Sequence, residues 1–172
     1  FVDDNNNDPM LKMAIARIKQ LSAHEVGHTI GFAHNFAAST NNRSSVMDYP
    51  HPLIKITNDE IDLSEAYAEG IGDWDKVSVA YSYSEFDSEN EKVELKNILD
   101  NAYANGLRFI TDSDARANNG AHANAHLWDN ENDIVKGLND ILLVRNKAIN
   151  DFSKFNIKSV SYTHLTLPTI LL

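Results

Sequence analysis

The sequence predicts a mainly helical fold with few strands. Three observations carry that expectation. Apolar residues recur at helical spacing over residues 9–30, 73–81, 95–106 and 134–155. The stretches between them hold Asn, Pro and Gly in place of strand-like alternation. The length of 172 residues, 42% hydrophobic and 23% charged, suits one soluble domain or two small ones and argues against wholesale disorder.

Asp8-Pro9 starts the first helix, with a capping carboxylate followed by proline at the first helical position. Leu11, Ile15, Ile18 and Val26 share one face and make an apolar stripe expected to pack on the body of the protein. The helix should run to about Ile30 and stop near Gly31. Residues 35–58 lack helical periodicity and contain Asn41-Asn42, Pro50 and Pro52, so they read as loop with short extended pieces. From Asp73 the helical pattern returns, with Trp74, Val77 and Tyr81 on one face. Leu95, Ile98, Leu99 and Ala102 mark a further helix ending near Gly106. Arg108 to Thr111 is a candidate short strand, and 112–130 is polar loop. Ile134, Leu138, Ile141, Leu142, Ile149, Phe152 and Phe155 mark a long amphipathic helix.

Composition removes several function classes. No cysteine is present, which excludes disulfide scaffolds, thiolate metal sites and cysteine nucleophiles. A formal net charge of −10 argues against nucleic acid or an anionic membrane as partner. No apolar run approaches the ~18 residues of a membrane span. The chain opens on Phe1, Val2, Asp3 and Asp4 without an initiator Met, and reads as an internal fragment whose lack of a leader says nothing about export. At the other end, Val160 to Thr169 reads VSYTHLTLPT, which looks like one translated frame of a transposase-type sequencing adapter. Residues 160–172, His164 among them, are therefore expected to be non-native and are set aside from function.

The chemistry is concentrated in residues 24–34, HEVGHTIGFAH. His24 and His28 are four apart, so they lie one helical turn apart on one face and can reach a shared metal ion. Both are turned away from the apolar stripe. Glu25 follows the first His, near the metal but aimed aside, where it can hold a water. Gly31, three residues after His28, tolerates the positive φ that folds the chain back. His34 then arrives as a third nitrogen ligand. Three His ligands leave one position open, which is the coordination of a catalytic zinc rather than a structural one.

A second element follows in Ser45, Val46, Met47, Asp48 and Tyr49, a turn eleven residues past His34. Zinc peptidases of the metzincin group combine HExxHxxGxxH with such a Met-containing turn, and this sequence resembles them. The stretches HEVGHTIGFAHNFAAST, SSVMDYPHP, IDLSEAYAEGIGDWDKVSVAYSY, RFITDSDAR and AHANAHLWDN are similar to a family of large bacterial zinc-dependent metalloproteases with flanking domains of unknown function, over residues 10 to 157. The resemblance implies a mainly α fragment of an α/β metzincin-type catalytic domain: an active-site helix, a Met-turn and a helical C-terminal subdomain, with the upstream sheet missing. It places the zinc-binding helix and Met-turn in 1–58 and the helical subdomain in 59–159. Met47 becomes an apolar floor beneath the imidazoles, and Tyr49 a residue that approaches the zinc and stabilises the transition state. Asn35 departs from the Asp that several metzincin groups carry after the third His.

The implied activity is zinc-dependent endopeptidase hydrolysis of a protein or peptide substrate, secreted or at the cell envelope. His24, His28 and His34 hold one Zn²⁺, and Glu25 is the general base. Two other readings stay open: a catalytically silent zinc module that holds a peptide, and a structural zinc closed by Asp48 or His51. His122 and His126 could form a second metal pair but read as a loop buttressing the cleft, with Trp128 packed on the body. Asp112 and Asp114 lack the DxDxDG calcium pattern and read as a turn or cap. His51 reads as an exposed loop histidine, and the acidic Asn5–Asn7 lead-in as a solvated loop.

Overall fold

A computed structural model describes residues 8–115, 118, 122–125 and 127–156. The lead-in 1–7, His126, the Phe155 side chain and the segment 160–172, all singled out above, lie outside the described residues.

The elements in chain order are α1 (Pro9–Thr29), a 3₁₀ turn (Ala38–Asn41), β1 (Lys55–Thr57), β2 (Glu60–Asp62), α2 (Asp73–Tyr83), α3 (Glu91–Ala104), α4 (Asp112–Ala115) and α5 (Ile134–Asn156). The fold is mainly helical, and β1–β2 is the one sheet among the described residues, antiparallel with Ile56 opposite Ile61. Asp8 caps α1 as the sequence predicts, its carboxylate accepting the Met10 N–H at 2.8 Å. At the far end, Gly31 N–H donates to His28 C=O and Phe32 N–H donates to Gly27 C=O, both at 3.0 Å. This Schellman closure needs a left-handed residue, and Gly31 has φ +92°.

The stripe on α1 does not behave as expected. Ile15, Ile18 and Val26 are exposed, and the buried residues of the helix are Gln20, His24 and Gly27, on the opposite side. The physical reason is local. Gly27 has no Cβ, and one placed there would sit 2.2 Å from Met47 Sδ, so the backbone of α1 and the 44–48 turn close against each other only on that side.

The buried centre is formed by Phe36, Ala37, Ala38, Val46 and Met47, flanked by Trp74, Ala102 and Leu107 where α2 meets α3. Trp74 stacks on Phe109 with ring centroids 5.5 Å apart, while Tyr81, near the end of the same face of α2, is exposed. Asp75 joins α2 to the 44–46 turn. Its buried carboxylate accepts the Ser45 hydroxyl (2.5 Å) and the N–H groups of Val46 (2.8 Å) and Gly72 (2.7 Å). A Cβ on Gly72 would lie 2.0 Å from the Ser44 oxygen, so glycine is required at that crossing.

Arg108 to Thr111 forms no strand. It runs as an irregular strap beside residues 35–36, with Phe36 N–H donating to Ile110 C=O at 2.8 Å. Its second partner is a side chain, the Asn35 Oδ1, and so no ladder forms. Within the expected polar loop 112–130, residues 112–115 make the single turn α4. Helix α5 keeps its amphipathic pattern, but Ile134, Leu138 and Ile141 are exposed and line an open cavity of about 590 Å³ with Pro52, Leu53 and Ile54. Lys147 ties α5 to the hairpin through Asp59 at 2.9 Å.

Candidate metal centre

The last two turns of α1 carry His24 and His28, and the turn at Gly31 returns His34 to them. His28 Nε2 lies 3.1 Å from His24 Nε2 and 3.2 Å from His34 Nε2. One ligand atom from each of the three rings lies within 4.8 Å of the others, and this is the one such group among the described residues.

The opposite nitrogen of every ring is committed. His24 Nδ1 faces Val46 C=O at 2.8 Å, His28 Nδ1 faces Phe32 C=O at 2.9 Å, and His34 Nδ1 faces the Asp112 carboxylate at 2.7 Å. Carbonyl and carboxylate oxygens only accept, so each neutral ring places its proton on Nδ1 and presents a bare lone pair at Nε2. Three lone pairs then converge with no proton between them, which is repulsive unless a cation sits among them. A tetrahedral zinc with Zn–N bonds of about 2.0–2.1 Å spaces its nitrogens about 3.3 Å apart. The two observed separations lie close to that, so the donor set fits zinc. Burial is the largest influence on His24 and pushes its pKa down, with His28 and His34 acting the same way. The Val46 carbonyl and the Glu25 charge oppose them. A neutral ring is the ligand form.

Glu25, one residue past His24, is exposed. Tyr49 lies against the trio, its ring centroid 5.3 Å from His24 and 4.7 Å from His34. Met47 is buried, with Sδ against Gly27 between the first two histidines, and its carbonyl accepts the Asn35 N–H at 2.9 Å. Asp48 and His51, weighed above as closing ligands, are outside the three-histidine group. The Asp48 carboxylate instead accepts the Tyr49 N–H at 2.7 Å. Its pKa is raised to about 7, chiefly by burial, with Asp129 adding repulsion and the Tyr49 and Ser39 N–H groups opposing. His51 is exposed and meets Trp128 edge-on at 5.9 Å.

Several participants escaped the sequence reading. Trp128 is not packed on the body: it is 51% exposed, and its ring stacks on Tyr49 at 5.7 Å. Its backbone N–H also donates to Tyr49 C=O at 2.9 Å. Asp112 opens the short turn α4, as a cap reading expects, but its side chain goes to His34. Asn35, the residue after the third histidine, is fully buried and clamps the strap. It donates to Arg108 C=O (2.9 Å) and accepts from Ala37 (3.1 Å) and Ile110 (3.2 Å). Gly27 had a visible signal, a small residue inside HEVGH, but its need appears only with Met47 against it. His122 is exposed and its Nδ1 accepts the Asn124 N–H at 3.2 Å, capping its own turn. The other half of that pair, His126, lies outside the described residues.

The family model described as Met-zincin matches residues 6–167. No curated protein and no solved structure matches the chain.

Proposed function

The chain belongs to the Met-zincin family, and from that premise we propose that it is a zinc-dependent endopeptidase with one zinc ion held by His24, His28 and His34. The family carries the coarser statement, a zinc metallopeptidase acting on peptides. One observation supports the finer reading most: every imidazole has its Nδ1 occupied and its Nε2 aimed at a common point.

A zinc ion held there supplies Lewis acidity, lowering the pKa of water from about 16 toward 7 and polarising a scissile carbonyl. Glu25 takes the proton of the attacking water and returns it to the leaving amine. Its position just past His24 keeps it beside the water without competing for the metal. The Tyr49 hydroxyl donates to the oxygen that gains negative charge as the carbonyl is attacked. Stacking between His24 and Trp128 limits the rotation of the Tyr49 ring, so that donor is oriented before substrate arrives. Met47 fills the space under the histidines with apolar volume, which holds water away from the ligand backbone. Among the described residues no helix is long and apolar enough to cross a membrane. A secreted or cell-envelope location, which the sequence resemblance implies, is part of this proposal.

Glu25→Gln tests the proposal. The variant should keep wild-type zinc content and cleave an unstructured protein about 10²–10⁴-fold more slowly. Wild-type protein that binds zinc but leaves the substrate intact would favour the silent peptide-holding module instead.

A further inference from the structure

The geometry points to Asp112 as a positioning residue for the metal centre: its carboxylate holds the His34 ring in the orientation and tautomer that ligation needs, and thereby sets the affinity for the metal. This rests on the metal reading above.

The three ligands are not held alike. His24 and His28 sit on a helix that restricts their rotamers, and their Nδ1 atoms meet backbone carbonyls of Val46 and Phe32. Those contacts arise once residues 24–47 have folded. His34 lies beyond the helix, in irregular chain, and its Nδ1 partner comes from 78 residues away. That partner is a carboxylate. A charge-assisted bond at 2.7 Å is stronger than one to a carbonyl and raises the basicity of the opposite ring nitrogen. It also brings one negative charge toward a site that otherwise offers three neutral donors.

The backbone delivers Asp112 to this place. Asn35, adjacent to His34, bonds to Arg108 C=O and Ile110 N–H, and Phe36 N–H bonds to Ile110 C=O. The strap is therefore registered to the residues that follow His34. Thr111 C=O then accepts the N–H groups of Asp114 (3.1 Å) and Ala115 (2.9 Å), which starts α4 and turns Asp112 back toward the ring. Among the described residues the ion pair that Asp112 makes is with His34. Asp114, on the same turn, carries the same charge without touching His34, and serves as the control.

The test is the zinc dissociation constant by chelator competition for wild type, Asp112→Ala, Asp112→Asn, Asp112→Glu and Asp114→Asn. Asp112→Ala should weaken zinc about 10–100-fold. Asp112→Asn keeps an acceptor without the charge and should fall between Ala and wild type, with Asp112→Glu nearest to wild type. Asp114→Asn should leave affinity unchanged. In the zinc-free protein, ¹⁵N shifts of the His34 ring should report one tautomer in wild type and a mixture in Asp112→Ala, a readout that a merely structural role would not move. If Asp112→Ala destabilises the fold, Asp112→Asn decides. Wild-type affinity in the Ala and Asn variants, or an equal loss in Asp114→Asn, overturns the inference while the metal centre stands. A wild-type protein that takes up no zinc overturns both.

Discussion

Along one side of α1 run Ile15, Ile18 and Val26, which are 44%, 63% and 58% exposed; along the other run Gln20 and His24, at 5% and 2%. Hydrophobicity alone ranks these faces in the opposite order. The polar face is buried because its donors are paired where they land. Gln20 Nε2 and His24 Nδ1 both donate to the Val46 carbonyl, at 3.2 and 2.8 Å, using the two lone pairs of one oxygen. With that pairing, burial carries little of the few kcal/mol that an unsatisfied polar group would cost. Gly27 then allows contact with Met47 that a larger residue would block. The outer face leaves much of its apolar area exposed. Burial on this helix thus follows hydrogen-bond satisfaction and close approach.

The largest effect expected is at the ligands. His24→Ala removes a Nε2 donor and the inward hydrogen bond together, so zinc content should fall from one per chain toward zero by metal analysis. Retention of full zinc would break the contrast between the faces at its centre.

Asp48 is a buried acid beside the site, and pH tests what its burial costs. Its folded pKa of about 7 lies above the unfolded 3.8, so it contributes fully below about pH 4 and its contribution is lost as pH rises to about 7. Urea midpoints of the metal-free protein should show that decline. Asp48→Asn should flatten it and be more stable at pH 8, by about 4 kcal/mol at most. An unchanged slope would remove Asp48 from the account.

Gly27→Ala sharpens the comparison further. The added methyl meets Met47 Sδ, and denaturation should show a loss of about 1–3 kcal/mol. A neutral result would mean that Met47 moves aside freely. On the other side of the same helix, Ile18→Ser should change stability by no more than about 0.5 kcal/mol. A large loss there would show that the stripe is covered in solution.

The helices were legible because their signals are local. The Asp8 cap, the Gly31 stop and the spacing of Leu95, Ile98, Leu99 and Ala102 each act within a turn or two. The histidine trio was legible for the same reason: eleven consecutive residues bring the three imidazoles to one place, although the partners that orient two of the rings lie outside that stretch. The candidate strand at 108–111 is a strap instead, because beside the Phe36 N–H its partners are the two ends of a buried asparagine side chain. Trp128 was misplaced because nothing near it in the chain signals that Tyr49 will lie beneath it.

From the amino acids alone one could name the helix, the glycine that ends it and the imidazoles that meet beyond it, since helical pitch and glycine's conformational freedom hold in any context. Tertiary structure alone decided which side of α1 turns inward, which carboxylate grips His34 and which aromatic ring covers Tyr49. Those choices depend on residues far apart in the chain, and their energies exist only once folding has brought both partners into contact.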